Sequence, residues 1–220
     1  MLGKPIEAVI FDMDGLLLDT EAVYLEAYQA AARLMGIEMP AAFCHSLIGL
    51  PSPECDRRIK DFFGPAFRLD DFNGHADGHA ARILDEAMPV KPGAVELLAF
   101  LGERGLPIAV ATSSSRRTTE RRLDQSGLLG HFRALATRDD VERGKPHPDL
   151  YLEAARRLGV APDRCLAFED SHNGLAAAHA AGTIAIMVPD IVPPTEEARG
   201  KCFAVLPDLA AAERLLRGTL

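Results

Sequence analysis

Ile6-Glu7-Ala8-Val9-Ile10-Phe11-Asp12-Met13-Asp14-Gly15 is the stretch that decides the fold: an apolar run rich in β-branched residues that stops at two acids and a glycine. Such a run predicts a buried strand ending in a functional loop. In open α/β sheets, ligands bind in the crevice beyond the carboxyl ends of the strands. Two carboxylates one residue apart on an extended chain face opposite ways. Where the strand ends, Gly15 lets the backbone turn so that Asp12 and Asp14 converge, one able to bind a hard cation while the other handles a proton. Taken alone, an Asp-x-Asp at a strand end also reads as loop punctuation or a cap.

Working outward, similar apolar runs recur at 107–111, 134–137, 164–168, 184–188 and 203–206, each flanked by a segment with helical periodicity. Strand and helix alternating in this way predict a doubly wound α/β domain, a parallel sheet covered on both faces. From Thr20 to Met88 the alternation fails and only amphipathic helical stretches remain. Tyr24, Ala27, Tyr28, Ala31 and Leu34 mark one helical face closed by Gly36; Ile59, Phe62 and Phe63 begin a second; Ile83, Leu84 and Ala87 form a third before Pro89. The organisation that accounts for this is an α/β core of residues 1–18 and 89–220, with an all-helical insertion of residues 19–88 after the first strand. A helical unit on a double linker above strand ends is placed to act as a lid.

The chain has 220 residues, 48% hydrophobic and 25% charged, enough length and apolar content to bury a core. Its formal net charge of −8 is spread along the sequence. The basic clusters, Arg116-Arg117 with Arg121-Arg122 and Arg156-Arg157, repeat at helical spacing beside acids and read as solvated helix faces, so nucleic acid is not an expected partner. The apolar stretches are too short to span a bilayer and the first residues lack a signal-peptide pattern, so a cytoplasmic protein is expected, with no membrane partner, as a monomer or weak homodimer. Cys44, Cys55, Cys165 and Cys202 lack metal-ligand spacing and read as packing thiols. His75 and His79 could share a helical face, but Gly74 and Gly78 weaken a helix there and no third ligand is evident.

Three further pieces carry chemistry. Thr112, with Ser113, Ser114 and Ser115, follows the run ending at Ala111 and offers hydroxyls and backbone N–H groups for phosphate oxygens, although Ser115 also reads as an ordinary helix N-cap. In Gly144-Lys145-Pro146-His147-Pro148-Asp149 two prolines restrict the backbone that carries the lysine, fixing the direction of its ammonium ahead of a helix. Phe168-Glu169-Asp170-Ser171-His172-Asn173-Gly174 adds two acids at the end of another apolar run. Four carboxylates gathered at one sheet edge repel one another, and Mg2+ resolves that conflict.

The order of these pieces resembles the haloacid dehalogenase superfamily: acid pair, hydroxyl, lysine before a helix, then acid pair, each at a strand end. The helical insertion after the first motif is similar to that of the subfamily with a helical cap in the first insertion site. The resemblance implies that Asp12 attacks phosphorus, that Asp14 is the general acid and base and gives its backbone carbonyl to Mg2+, and that Thr112 holds a phosphoryl oxygen. It implies that Lys145 steadies Asp12 and the transition-state charge and that Asp170 is a metal ligand ranked above Glu169. Gly15 and Ser113 join Thr112 and Lys145 as phosphate-binding positions.

Magnesium-dependent hydrolysis of a small phosphorylated metabolite is the implied activity. A mutase similar to the β-phosphoglucomutases shares every core residue. Its usual cap histidine and arginine are replaced here by Tyr24 and by Ser52 in Ile48-Gly49-Leu50-Pro51-Ser52-Pro53. Losing that arginine removes a bidentate partner for a second phosphate, which favours the hydrolase. Tyr24, His45 and Arg57 are available for substrate contacts, against core packing for the tyrosine and plain surface exposure for the other two. A non-catalytic module that binds phosphorylated metabolites is the alternative of another class.

Overall fold

The computed structural model describes residues 5–47, 50 and 52–219. The chain divides into two compact units, one made of the chain up to Leu18 together with everything from Pro89 onward, the other of Asp19–Met88. In the first unit six strands form one sheet: β1 (Ala8–Phe11), β2 (Ile108–Ala111), β3 (Ala134–Ala136), β4 (Cys165–Glu169), β5 (Ile184–Met187) and β6 (Ala204–Val205). Their order is β3-β2-β1-β4-β5-β6 and every pairing is parallel. β1, first in sequence, is therefore central, and the strands after it are laid down outward in both directions, the doubly wound plan. All six apolar runs of the sequence became strands, with ends shifted by a residue or two where the outer turns of each run enter loops.

The second unit holds α1 (Thr20–Leu34), α2 (Ala41–His45), α3 (Ser52–Phe63) and α4 (Leu69–Glu86). The face α1 buries runs through Val23, Ala27, Ala30 and Ala31. Leu34, expected on that face, is 69% exposed at the last turn, and Phe62 of α3 is also exposed. Tyr24 stays half-buried, its ring tilted against Tyr28, which stacks on Phe72 of α4. Arg57 lies exposed and is held by Glu54 and Asp61 on its own helix, and His45 is exposed. Gly74 and Gly78 do not interrupt α4: Phe72, Ala76, Ala80 and Leu84 bury one continuous stripe, which outweighs the glycines' poor propensity. His79 is bonded to Glu26 of α1 at 3.0 Å. Ile48, Gly49 and Pro51, and the Ser52 side chain, lie outside the described residues.

The first unit continues with α5 (Ala94–Glu103), α6 (Arg116–Gln125), α7 (Asp149–Leu158), α8 (His172–Ala180), α9 (Glu196–Lys201) and α10 (Leu209–Arg217). Ala8 and Ile10 of β1, Ala109 and Ala111 of β2, and Cys165 and Ala167 of β4 share one apolar cluster with Leu150, Tyr151, Ala154 and Leu158 of α7 and Leu175 and Ala178 of α8. The alternate strand residues, Val9, Phe11, Val110, Leu166, Phe168 and Ile186, are equally buried and face the other way, with Phe11 stacked on Phe168 at 5.0 Å. A sheet whose two faces are both apolar requires helices on both, which is why its strands read as continuous hydrophobic runs. Cys44, Cys55 and Cys165 are buried free thiols, in keeping with packing roles, while Cys202 is half-buried. Among the described residues no helix is long and apolar enough to cross a membrane.

Candidate active site at the carboxyl edge of the sheet

Strand register builds the site. β1 and β4 run parallel with Phe11 opposite Phe168, and the Asp12 amide donates to the Phe168 carbonyl at 3.0 Å, carrying the pairing one residue beyond the strand. Side chains alternate along a strand, so Asp12 follows the face of Ala8 and Ile10, and Glu169 follows the face of Cys165 and Ala167, which is the same face. The two acids thus leave adjacent strands side by side, and Asp170 comes next. One carboxylate oxygen from each of Asp12, Glu169 and Asp170 lies within 4.8 Å of the other two, and all three residues are buried.

Lys145 enters from the loop ahead of α7, whose helix begins at Asp149 directly after Pro148. Its ammonium donates to Asp12 Oδ1 and to Glu169 Oε1, and its side chain is only 7% exposed. The Tyr151 ring of α7 sits beneath that ammonium at 5.3 Å, and its hydroxyl donates to Glu169 Oε1 at 2.7 Å. The Ser171 amide and hydroxyl donate to Glu169 Oε2 at 3.3 and 3.2 Å. Each oxygen of Glu169 therefore accepts two hydrogen bonds, close to the full capacity of a carboxylate. A direct metal bond from Glu169 would require one of these to yield. Gly174 leaves the space this acid occupies: a Cβ there would stand 1.8 Å from Glu169 Oε1.

The electrostatics of the group are unbalanced, with three buried carboxylates gathered against one ammonium. Burial pushes the Asp12 carboxyl up to about 8; Lys145 pulls the other way and Glu169 adds to the rise. Burial also disfavours the Lys145 charge, but Asp12 and Glu169 hold the ammonium above its usual range. The Tyr151 phenol is raised by burial and by the Glu169 charge. Hard carboxylate oxygens with surplus negative charge in a buried cluster form a donor set suited to a divalent cation such as Mg2+.

Asp14 is not one of the three acids of that group, although its charge adds to the rise of the Asp12 carboxyl. Gly15, at φ +86°, turns the chain, and its amide donates to the Leu18 carbonyl at 2.8 Å. Asp14 Oδ2 accepts from the Ser114 hydroxyl at 2.8 Å, and Oδ1 accepts from Arg122 Nη1 at 2.6 Å. Arg122 is buried, which corrects its reading as part of a solvated helix face. It lies on the face of α6 that also buries Thr119 and Leu123, while Arg117 and Arg121 are exposed. Arg116 and Arg157 likewise do more than meet solvent: both hold Asp140, at 2.7 Å each, and Asp140 caps its own turn through Thr137. Thr112 is buried, its amide bonded to the Ala136 carbonyl at 2.9 Å and its hydroxyl oxygen accepting from the Ser114 amide at 3.1 Å. Ser113 is exposed in the same loop, and Ser115 caps α6 by accepting from the Thr118 amide.

The structure thus brings Asp12, Lys145, Glu169 and Asp170 into one cluster and sets Asp14 beside the Thr112 loop through Ser114. Tyr151, Ser171, Gly174 and Arg122 were not singled out by the sequence as parts of the site, and Ser114, read there as a donor to phosphate oxygens, donates to Asp14. Ser171 and Gly174 lay inside the quoted fourth motif and Ser114 inside the serine run. For Tyr151 and Arg122 helical periodicity could mark a buried face without showing which acid it meets.

Residues 6–182 match the haloacid dehalogenase-like hydrolase model, and the chain belongs to that family. A phosphorylated carbohydrates phosphatase of Thermotoga maritima is 34% identical over 177 residues, 80% of this chain and 82% of that protein. Hexitol phosphatase B of Escherichia coli is 32% identical over 195 residues, covering 84% of this chain and 85% of its own. Among solved structures, β-phosphoglucomutase of Clostridium difficile superposes with a TM-score of 0.74 at 26% identity, covering 93% of this chain and 92% of that one. The family is one of hydrolases, and both of these sequence relatives are phosphatases, of phosphorylated carbohydrates and of hexitols respectively.

Because the Gly174 Cα hydrogen abuts Glu169, Gly174→Ala must move either α8 or the carboxylate. Overpacking of this kind costs about 1–3 kcal/mol. Thermal unfolding of Gly174→Ala is expected several degrees below that of the unaltered chain, and an unchanged midpoint would mean that Glu169 does not depend on this close approach.

Proposed function

We propose that this chain hydrolyses a small phosphomonoester, a sugar phosphate or related metabolite, in a Mg2+-dependent reaction through an aspartyl phosphate on Asp12. The observation that carries the reading is the buried cluster in which Lys145 bridges Asp12 and Glu169 beside Asp170. A carboxylate is a weak nucleophile toward an anionic phosphoryl group, and it serves only where cations cancel the repulsion between them. Lys145 is one such cation, held rigidly by burial and by two carboxylates. Asp12, the Asp14 carbonyl and Asp170 would hold Mg2+, which supplies charge neutralisation and orientation of the phosphoryl group when bound.

In the first step an Asp12 oxygen forms a bond to phosphorus as the ester P–O bond breaks, and Asp14 gives a proton to the departing alkoxide. In the second, water loses a proton to Asp14 and attacks phosphorus; the P–O bond to Asp12 breaks, freeing phosphate and restoring both acids. Thr112 and Ser113, with the backbone around Gly15, hold phosphoryl oxygens, and Lys145 steadies the charge that develops on them.

The likeness to a β-phosphoglucomutase structure keeps a mutase as the second reading. Tyr24 and Ser52 stand where the resemblance to mutases would put a histidine and a phosphate-binding arginine, which favours water as the acceptor. Incubated with Mg2+ and a panel of sugar and polyol phosphates, the protein is expected to release inorganic phosphate and to stop in excess chelator. Isomerisation of a hexose 1-phosphate, primed with a bisphosphate, faster than phosphate release would establish the mutase. Binding without turnover would establish a non-catalytic module.

Asp12→Asn is expected to lose at least about a thousandfold in kcat, because no covalent step remains. Its stability is expected to hold. With the folded Asp12 pKa at about 8 and the unfolded value near 3.8, the folded protein keeps a proton that the unfolded chain gives up, so this acid costs stability increasingly from pH 4 to 8. Asparagine resembles the protonated form and removes that cost. Near-normal turnover in Asp12→Asn would reject Asp12 as nucleophile.

The same raised carboxyl couples Mg2+ binding to pH. Asp12 must shed a proton to ligate, so calorimetric Mg2+ affinity is expected to fall as pH is lowered below about 8, by up to about tenfold per unit for one proton. Affinity that is flat between pH 8 and 6 would show that Asp12 is already ionised or is not a ligand.

A further inference from the structure

Arg122 is a buried guanidinium for which the proposed reaction has so far found no use. It lies on α6, on the same turn face as Thr119 and Leu123, and the helix starts immediately after the Thr112–Ser115 loop. Its side chain is 8% exposed, and Nη1 donates to Asp14 Oδ1 at 2.6 Å across 108 residues of sequence. Ser114, from the loop that feeds this helix, donates to the other oxygen, Asp14 Oδ2, at 2.8 Å. The carboxylate is thus gripped at both oxygens by one short segment of chain, and the same segment carries Thr112. Asp14 itself lies beyond the end of β1, at an isolated bridge to Leu18.

Placing a guanidinium in a buried position carries a desolvation penalty that stability alone gives little reason to accept. We propose that Arg122, with Ser114, is a positioning residue for Asp14: it fixes the plane and location of that carboxylate relative to the phosphoryl site, and it acts on the reaction only through Asp14. This inference rests on the hydrolase reading and on Asp14 as the group that protonates the leaving alcohol.

The role makes a particular kinetic signature. In kcat/KM, which reports events through departure of the first product, a well-placed proton donor matters greatly for a poor leaving group such as an alkoxide and little for p-nitrophenolate, which departs as an anion. Proton transfer by a positioned side chain contributes about 10²–10⁴-fold. Damage to general folding or to phosphate binding lowers both substrates alike.

The test compares kcat/KM for glycerol 1-phosphate and p-nitrophenyl phosphate, with Mg2+, in the unaltered enzyme, Arg122→Met, Arg122→Lys and Ser114→Ala. The expected result is that the alkyl-to-aryl ratio falls by at least tenfold in Arg122→Met and recovers in part in Arg122→Lys. Equal losses on both substrates, no loss, or a gain would overturn the inference. If Arg122→Met does not fold, Ser114→Ala decides: its ratio must fall in the same direction by at least about threefold, or the inference is overturned. An unaltered enzyme that turns over neither ester would count against the hydrolase reading itself, an outcome separate from a flat ratio among active variants.

Discussion

A buried ammonium shared by two carboxylates holds the chemistry of this protein in place. Lys145 lies between Asp12 and Glu169 and donates to both. Removing the lysine would cost about 3–5 kcal/mol, because the carboxylates left behind are out of reach of water. Glu169 is the structural member: fully buried, it accepts from Lys145, Tyr151 and Ser171 and is pressed against Gly174. Asp12, the proposed nucleophile, is the poorly compensated member: burial and the Glu169 charge raise its carboxyl against the pull of the lysine.

The constraint beneath that cluster is strand register. The hydrogen bond from Asp12 to Phe168 continues the β1–β4 pairing past the end of β1 and makes Asp12 and Glu169 lateral neighbours. A slip of one residue in either strand would turn one of the acids to the opposite face. The stacked Phe11 and Phe168 rings and the small side chains of Ala8 and Ala167 on the other face resist such a slip, since the two faces accept residues of different size. The fold's core packing and its chemistry are consequently set by the same alternation.

The sheet was legible in the sequence because its strands are buried on both faces and so appear as uninterrupted apolar runs between helical segments. The acids, hydroxyls and lysine at the run ends were legible because strand ends are where α/β sheets expose functional groups. What could not be read was the partner of each charge. Arg122 looks like its exposed neighbour Arg121 in sequence, and only the rotation of α6 on the sheet separates a buried ion pair with Asp14 from a solvated cation. Leu34 failed in the opposite direction: helical spacing placed it on the buried face of α1, but it is exposed while Ala31 and Ala32 of the same last turn are buried. Gly74 and Gly78 made α4 read as weak because propensity is local, whereas the stripe from Phe72 to Leu84 is stabilised by burial.

Bonding of Asp12 to phosphorus is tested most directly by trapping that bond. The enzyme would be denatured in mid-turnover with Mg2+ and a sugar phosphate, reduced with borohydride, digested and mapped by mass spectrometry. An acyl phosphate on Asp12 reduces to the alcohol, so homoserine is expected at position 12, only when substrate is present. Phosphate release during turnover with Asp12 left intact, or reduction at a different acid, would contradict a covalent role for this residue.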